Sequence, residues 1–232
     1  MEDVDVFVIA GGKCGSSTLK QTFLNLDLNT IKSHNPTCFK NQFGFTGFFE
    51  TIKKSSKKTP LIIVDAYRTP IERKISSFFH NGEKKIDNFL TMSTKDQIDL
   101  FNKDYLYRIE EQHIINEIYR RIPIPRTKSY EFKKKYLHQH YKNLIIIKLH
   151  YDDIKNWGER LSTIFKRPIE IIKDNVSNNK PYYDKYQLFL KEYKVPKKYL
   201  LEHLSNDIEF KKFQTGPQQK QYIDKWLKKC SE

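Results

Sequence analysis

Three short apolar, β-branched runs stand out from an otherwise polar chain: Val4–Ala10 (VDVFVIA), Leu61–Tyr67 (LIIVDAY) and Asn143–Tyr151 (NLIIIKLHY). Runs of this length predict strands buried on both faces. Asn29–Ser33 is read as a further short extended segment, and Ile169–Ile172 as an edge strand. Between these runs the spacing changes to three and four. Leu19, Phe23 and Leu26 predict a helix over Ser16–Leu26. Pro70 suits the first turn of a helix carrying Ile71 to Phe79. Residues Lys95–Arg121 predict one long helix or two shorter ones, ending at Pro123 and Pro125. Asp152 or Asp153 caps a helix that ends near Lys166. Asp174–Pro181 has turn composition. Tyr182–Cys230 predicts two or three amphipathic helices, broken at Pro196 and Gly216-Pro217. No internal repeat is present. Strands alternating with helices imply an α/β fold with a mainly parallel sheet flanked by helices and a helical C-terminal elaboration. One domain over 1–232 is expected, with an α/β core in 1–182 and helices in 183–232.

Composition narrows the class. The 232 residues include 16 Phe and 14 Tyr, enough bulky rings to argue against disorder. No run approaches the ~18 apolar residues of a membrane span. The start, Met1 to Phe7, is acidic and enters a strand pattern, so no signal peptide or membrane anchor is read there. A cytoplasmic setting is expected, in a bacterial or virus-encoded context. Three cysteines cannot close a disulfide framework, and no CxxC pair suggests zinc, so no metal site is expected. Lys and Arg number 42 against 28 Asp and Glu, a net +14 that attracts anions without choosing one. The densest basic stretch, Arg120–Lys135, reads equally as a solvated face or an acceptor surface.

The chemistry clusters after the strands, where α/β proteins bind ligands. Gly11-Gly12-Lys13-Cys14-Gly15-Ser16-Ser17-Thr18-Leu19 joins the first strand to the first helix. Such a turn aims backbone N–H groups and a helix dipole at one spot, which suits a phosphate. It is not a Walker A loop: Gly15 is followed by Ser16, and the lysine comes earlier, at Lys13. Arg68 ends the next strong strand, and Ser76 lies two turns into the following helix. An arginine fork and a hydroxyl also suit a phosphate. Asn175–Tyr182 adds a polar, cationic loop with Ser177 and Lys180.

These residues resemble the sulfotransferases that use 3′-phosphoadenosine 5′-phosphosulfate, closest to the carbohydrate members. Lys13 to Leu19 match their 5′-phosphosulfate loop, K-x-G-[ST]-[ST]-[ST]-L. Arg68, Pro70, Arg73 and Ser76 match their 3′-phosphate motif, R-x-P-x-x-R-x-x-S. Lys148–Ile154 is similar in position to their R-Y-E-D-L segment, departing from it at His150 and Asp152. Asn175–Tyr182 resembles the late loop over the nucleotide. The likeness spans residues 4–182.

The resemblance implies a P-loop-like nucleotide-binding domain that moves a sulfuryl group from this donor to an acceptor hydroxyl, a sugar first, and releases adenosine 3′,5′-bisphosphate. It places Lys13 at the bridging oxygen, Gly15, Ser16, Ser17, Thr18 and Leu19 around the 5′-phosphate, and Arg68 and Ser76 on the 3′-phosphate. Ser177 and Lys180 would cover the nucleotide, with Arg73 facing solvent. His34, in Ser33-His34-Asn35-Pro36, is the expected base, with His80 and Glu72 as competitors on one helix face. His138, His140 and His150 are read as structural, and Cys14 as a small residue that fits the turn. Two other classes compete: a nucleotide kinase with a variant loop, which lacks GK[ST], and a basic nucleic-acid binder, which leaves both phosphate motifs unexplained.

Overall fold

The structure, a computed structural model, describes residues 4–34, 60–108, 135–172 and 179–231, with Phe39, Asn41, Phe49, Glu50, Ile52, Ile118 and Arg121. The chain divides into two compact units, Met1–Arg68 with Glu111–Asn175, and Thr69–Glu110 with Val176–Glu232.

The first unit is built on a five-stranded sheet: β1 (Val6–Val8), β2 (Thr30–Lys32), β3 (Leu61–Tyr67), β4 (Tyr136–Tyr141) and β5 (Leu144–His150). The order is β2-β1-β3-β5-β4, and every pairing is parallel except β4 with β5. All seven β3 residues are buried, as an uninterrupted apolar run requires. Alternate side chains feed two cores. Val6, Val8, Ile62, Val64, Ile147 and Leu149 pack against Leu19 and Phe23 of α1 (Ser16–Leu24) and Trp157 and Leu161 of a later helix, Trp157–Phe165. Phe7, Ile9, Leu61, Ile63, Leu144 and Ile146 form the other core with Phe39, Ile52 and Ile118.

Two sequence expectations change here. Among the described residues Ile169–Ile172 joins no strand, and side chains take two of its N–H groups. Ile169 N–H donates to Ser162 Oγ (2.8 Å) and Ile172 N–H to Thr22 Oγ1 (3.1 Å). The edge is instead β4, joined to β5 by a two-residue turn in which Lys142 adopts a left-handed φ of 50°. Nor do Asp152 and Asp153 provide the cap. His150 does so, its Nδ1 accepting from the Asp152 N–H (3.3 Å) at the start of a short helical turn, Tyr151–Asn156. Asp153 is buried and accepts from Asn156 Nδ2 and Arg160 Nε.

The second unit is mainly helical. It contains α2 (Pro70–Lys85) and α3 (Thr94–Asp104). With Trp157–Phe165 as α4, the later helices are α5 (Tyr183–Glu192), α6 (Ile208–Phe213) and α7 (Gly216–Leu227). Its core is aromatic: Phe78 and Phe79 of α2 meet Phe89, Phe101 of α3 and Phe189 of α5. The break expected at Gly216-Pro217 is present: α6 ends at Phe213 and α7 starts at Gly216. Thr215 Oγ1 accepts from Gln218 N–H while Gln218 Oε1 accepts from Thr215 N–H, a reciprocal capping box with Pro217 in the first turn. Val195–Pro196 pairs in parallel with Cys230–Ser231.

Candidate functional site

Because β1, β2, β3 and β5 run parallel, their carboxyl ends share one edge of the sheet. The glycine turn, His34, Arg68 and His150 all follow from that edge. In the turn two residues adopt left-handed φ, Lys13 at 65° and Gly15 at 84°. Gly15 is the N-cap of α1 and brings no side chain to receive the helix's first N–H groups, which have no carbonyl one turn back. Those donors and the positive end of the helix therefore face the turn. Ser16 and Thr18 are buried, and Ser17 and Lys13 half-buried. Leu19 acts differently: its side chain lies in the core and its N–H bonds to the Gly15 carbonyl (3.0 Å), so it anchors the turn. Cys14 is buried with Sγ 3.7 Å from the Gly12 carbonyl, a small side chain filling the turn.

Gly15 is required twice. Besides its φ, a Cβ there would stand 2.8 Å from the Trp157 ring and 3.4 Å from Tyr151. The indole is itself fixed, since Trp157 Nε1 donates to the His150 carbonyl (2.9 Å). Gly15→Ala is therefore expected to cost about 2–4 kcal/mol, combining left-handed strain with overpacking. Urea unfolding of the variant measures it, and a loss below about 1 kcal/mol would mean that the turn shifts freely.

Arg68 and Lys13 are held together although 55 residues separate them. An Arg68 guanidinium N–H donates to the Lys13 carbonyl (3.0 Å), and the guanidinium lies over the Tyr151 ring (4.4 Å). Among the described residues one donor and one face are used, and the rest of a half-buried fork remains. A second lysine, Lys32 at the end of β2, donates from Nζ to Ser17 Oγ (3.1 Å). The sequence reading missed it, although its place two residues before His34 on a short strand was a usable signal.

His34 is oriented by the backbone. Its Nδ1 lies 2.8 Å from the Ala10 carbonyl, which only accepts, so Nδ1 carries the hydrogen and Nε2 the lone pair. His150 is buried, edge-on to Tyr67 with ring centroids 5.0 Å apart. Burial pushes its imidazole below the usual range, and Asp152 partly offsets this. Two register positions earlier, Asp65 and Lys148 pair at 2.8 Å, each 1% exposed. The Ala66 N–H also donates to Asp65 (2.7 Å). Asp65 is thus committed inside the sheet rather than offered at a strand end.

The remaining predicted residues fall in the second unit or outside the described residues. Ser76 and Lys180 belong to the second unit, the former buried and the latter half-buried. Arg73 is buried rather than solvent-facing. Glu72 is occupied there, paired with Lys225 (2.9 Å) and accepting from the Tyr222 hydroxyl. His80 Nε2 lies 3.4 Å from Lys84 Nζ on the exposed side of α2. Ser177 and, apart from Arg121 and Lys135, the basic stretch 120–135 lie outside the described residues. Among the described residues no group of three His, Cys, Asp or Glu could hold a metal ion, and no helix is long and apolar enough to cross a membrane. The chain matches no protein-family model, no curated protein and no solved structure.

Proposed function

We propose that this chain is a sulfotransferase with a P-loop-like phosphate turn, taking a sulfuryl group from 3′-phosphoadenosine 5′-phosphosulfate to an acceptor hydroxyl, a sugar hydroxyl first. The observation that supports it most is the bond from Arg68 to the Lys13 carbonyl. It joins the two motifs that the family resemblance assigns to the two ends of one nucleotide. In this reading the N–H groups at the start of α1, with the Ser16, Ser17 and Thr18 hydroxyls, hold the 5′-phosphate. Lys13 and Lys32 neutralise charge that grows on the bridging oxygen. The acceptor oxygen attacks sulfur as the bond from sulfur to that oxygen breaks. The acceptor proton passes to Nε2 of His34, and adenosine 3′,5′-bisphosphate leaves. The free edge of the Arg68 fork takes the 3′-phosphate. Ser76, Ser177 and Lys180 enter from the sequence motifs alone. The kinase alternative wants a carboxylate at a strand end for a metal, and Asp65 is buried against Lys148 instead.

Arg68→Ala tests the assignment. Affinity for adenosine 3′,5′-bisphosphate should fall roughly 10- to 100-fold further than affinity for 5′-AMP, the worth of a charged hydrogen bond. Calorimetric titration reads both. An equal loss for the two ligands would place Arg68 away from the 3′-phosphate.

A further inference from the structure

A single short turn braces both the glycine turn and the arginine that ends β3. Tyr151–Asn156 begins where β5 ends, and its first side chain, the half-buried Tyr151, carries the Arg68 guanidinium over its ring at 4.4 Å. The same ring packs on the glycine turn, since a Cβ on Gly15 would stand 3.4 Å from it. Trp157 supports the tyrosine from behind, edge-on with ring centroids 6.2 Å apart. That indole is fully buried and pinned through Nε1 to the His150 carbonyl (2.9 Å). All of these residues belong to the first unit.

One hydrogen bond does not orient a guanidinium. Arg68 donates an N–H to the Lys13 carbonyl (3.0 Å), which fixes one atom and lets the plane swing about that bond. The Tyr151 face supplies the missing constraint, because attraction to the ring and packing on it are both lost as the cation moves off the face. Bond and ring together aim the remaining N–H edge in one direction before any ligand arrives. An arginine without such support must give up its rotamer freedom on binding an anion; here that ordering is built into the fold. The difference bears on selectivity. A loose guanidinium follows a phosphate to either hydroxyl of a sugar, whereas a fixed fork receives two phosphate oxygens in one place only.

We propose that Tyr151 is the positioning residue that makes Arg68 read where a phosphate sits on the ribose, selecting the 3′ position over the 2′. This rests on the sulfotransferase reading, in which Arg68 meets the 3′-phosphate. Tyr151 acts through the guanidinium, with its ring face, so its hydroxyl is dispensable.

Calorimetric titration of the full chain with adenosine 3′,5′-bisphosphate, adenosine 2′,5′-bisphosphate and 5′-AMP tests it, because the two bisphosphates carry the same charge. Wild type should bind the 3′,5′ isomer roughly 10-fold or more tightly than the 2′,5′ isomer. Each of Tyr151→Leu and Tyr151→Met should bring the isomers to within about 3-fold of each other, with both still bound more tightly than 5′-AMP. Tyr151→Phe keeps the ring face and should keep the wild-type ratio. A ratio unchanged in the leucine and methionine variants, with all three ligands weakened alike, would make the ring a mere support of the turn and overturn the proposal. Equal binding of the two isomers by wild type, both above 5′-AMP, would also overturn it and leave the sulfotransferase reading standing. A wild type that does not prefer the 3′,5′ isomer to 5′-AMP would overturn that reading and this inference together.

Discussion

Lys148→Met is expected to destabilise the protein by about 3–5 kcal/mol, because it strands a carboxylate in the middle of the sheet. Asp65 sits at the same register on β3 as Lys148 on β5, and both side chains are 1% exposed. With the ammonium removed, Asp65 keeps the Ala66 N–H but loses its counter-charge. The desolvation cost of the buried carboxylate then stands without the charge that offset it. The double variant Asp65→Leu with Lys148→Met should recover most of the loss, since a hydrophobic pair of similar volume avoids both desolvation costs. Urea unfolding of the four proteins closes the cycle. A single variant within about 1 kcal/mol of wild type would show that water reaches Asp65.

The second large effect is on catalysis. His34→Ala should lower turnover by ~10²–10⁴-fold, the usual worth of a positioned base, with affinity for adenosine 3′,5′-bisphosphate nearly unchanged. His34→Asn separates position from chemistry. Its amide N–H still suits the Ala10 carbonyl that now takes the Nδ1 hydrogen, yet it offers no basic nitrogen. Both variants should therefore be equally slow with any hydroxyl acceptor that wild type uses, measured as bisphosphate release at saturating donor. An asparagine variant near wild-type rate would make His34 a strut and move the search for the base elsewhere.

Much of the sheet was legible because its central strands are buried on both faces. LIIVDAY and NLIIIKLHY have nowhere else to fold, and their helix partners repeat at three and four. The edge strand was not legible. Tyr136–Tyr141 (YLHQHY) carries histidines and a glutamine, and its turn uses Lys142 and Asn143 where glycine usually signals a hairpin. Ile169–Ile172 misled for the opposite reason: its apolar pattern is right, but Ser162 and Thr22 claim the N–H groups of Ile169 and Ile172. The placement of the loops after the strands was legible, from Lys13, Gly15 and Arg68 in that order along the chain. What locks those loops was not. The Arg68 bond to a main-chain carbonyl, Lys32 on Ser17 and the Trp157 ring against Gly15 are tertiary contacts with no local signature. The one charge in each of two buried strands was visible, at Asp65 and Lys148. Only the register shows that they meet.

The most direct test of the account is calorimetric titration of the wild-type chain with adenosine 3′,5′-bisphosphate, 5′-AMP and ATP with magnesium. The account predicts that the bisphosphate binds without metal and roughly 10- to 100-fold more tightly than 5′-AMP, the difference being the 3′-phosphate on Arg68. Tighter binding of ATP with magnesium, or no preference for the 3′-phosphate, would contradict it.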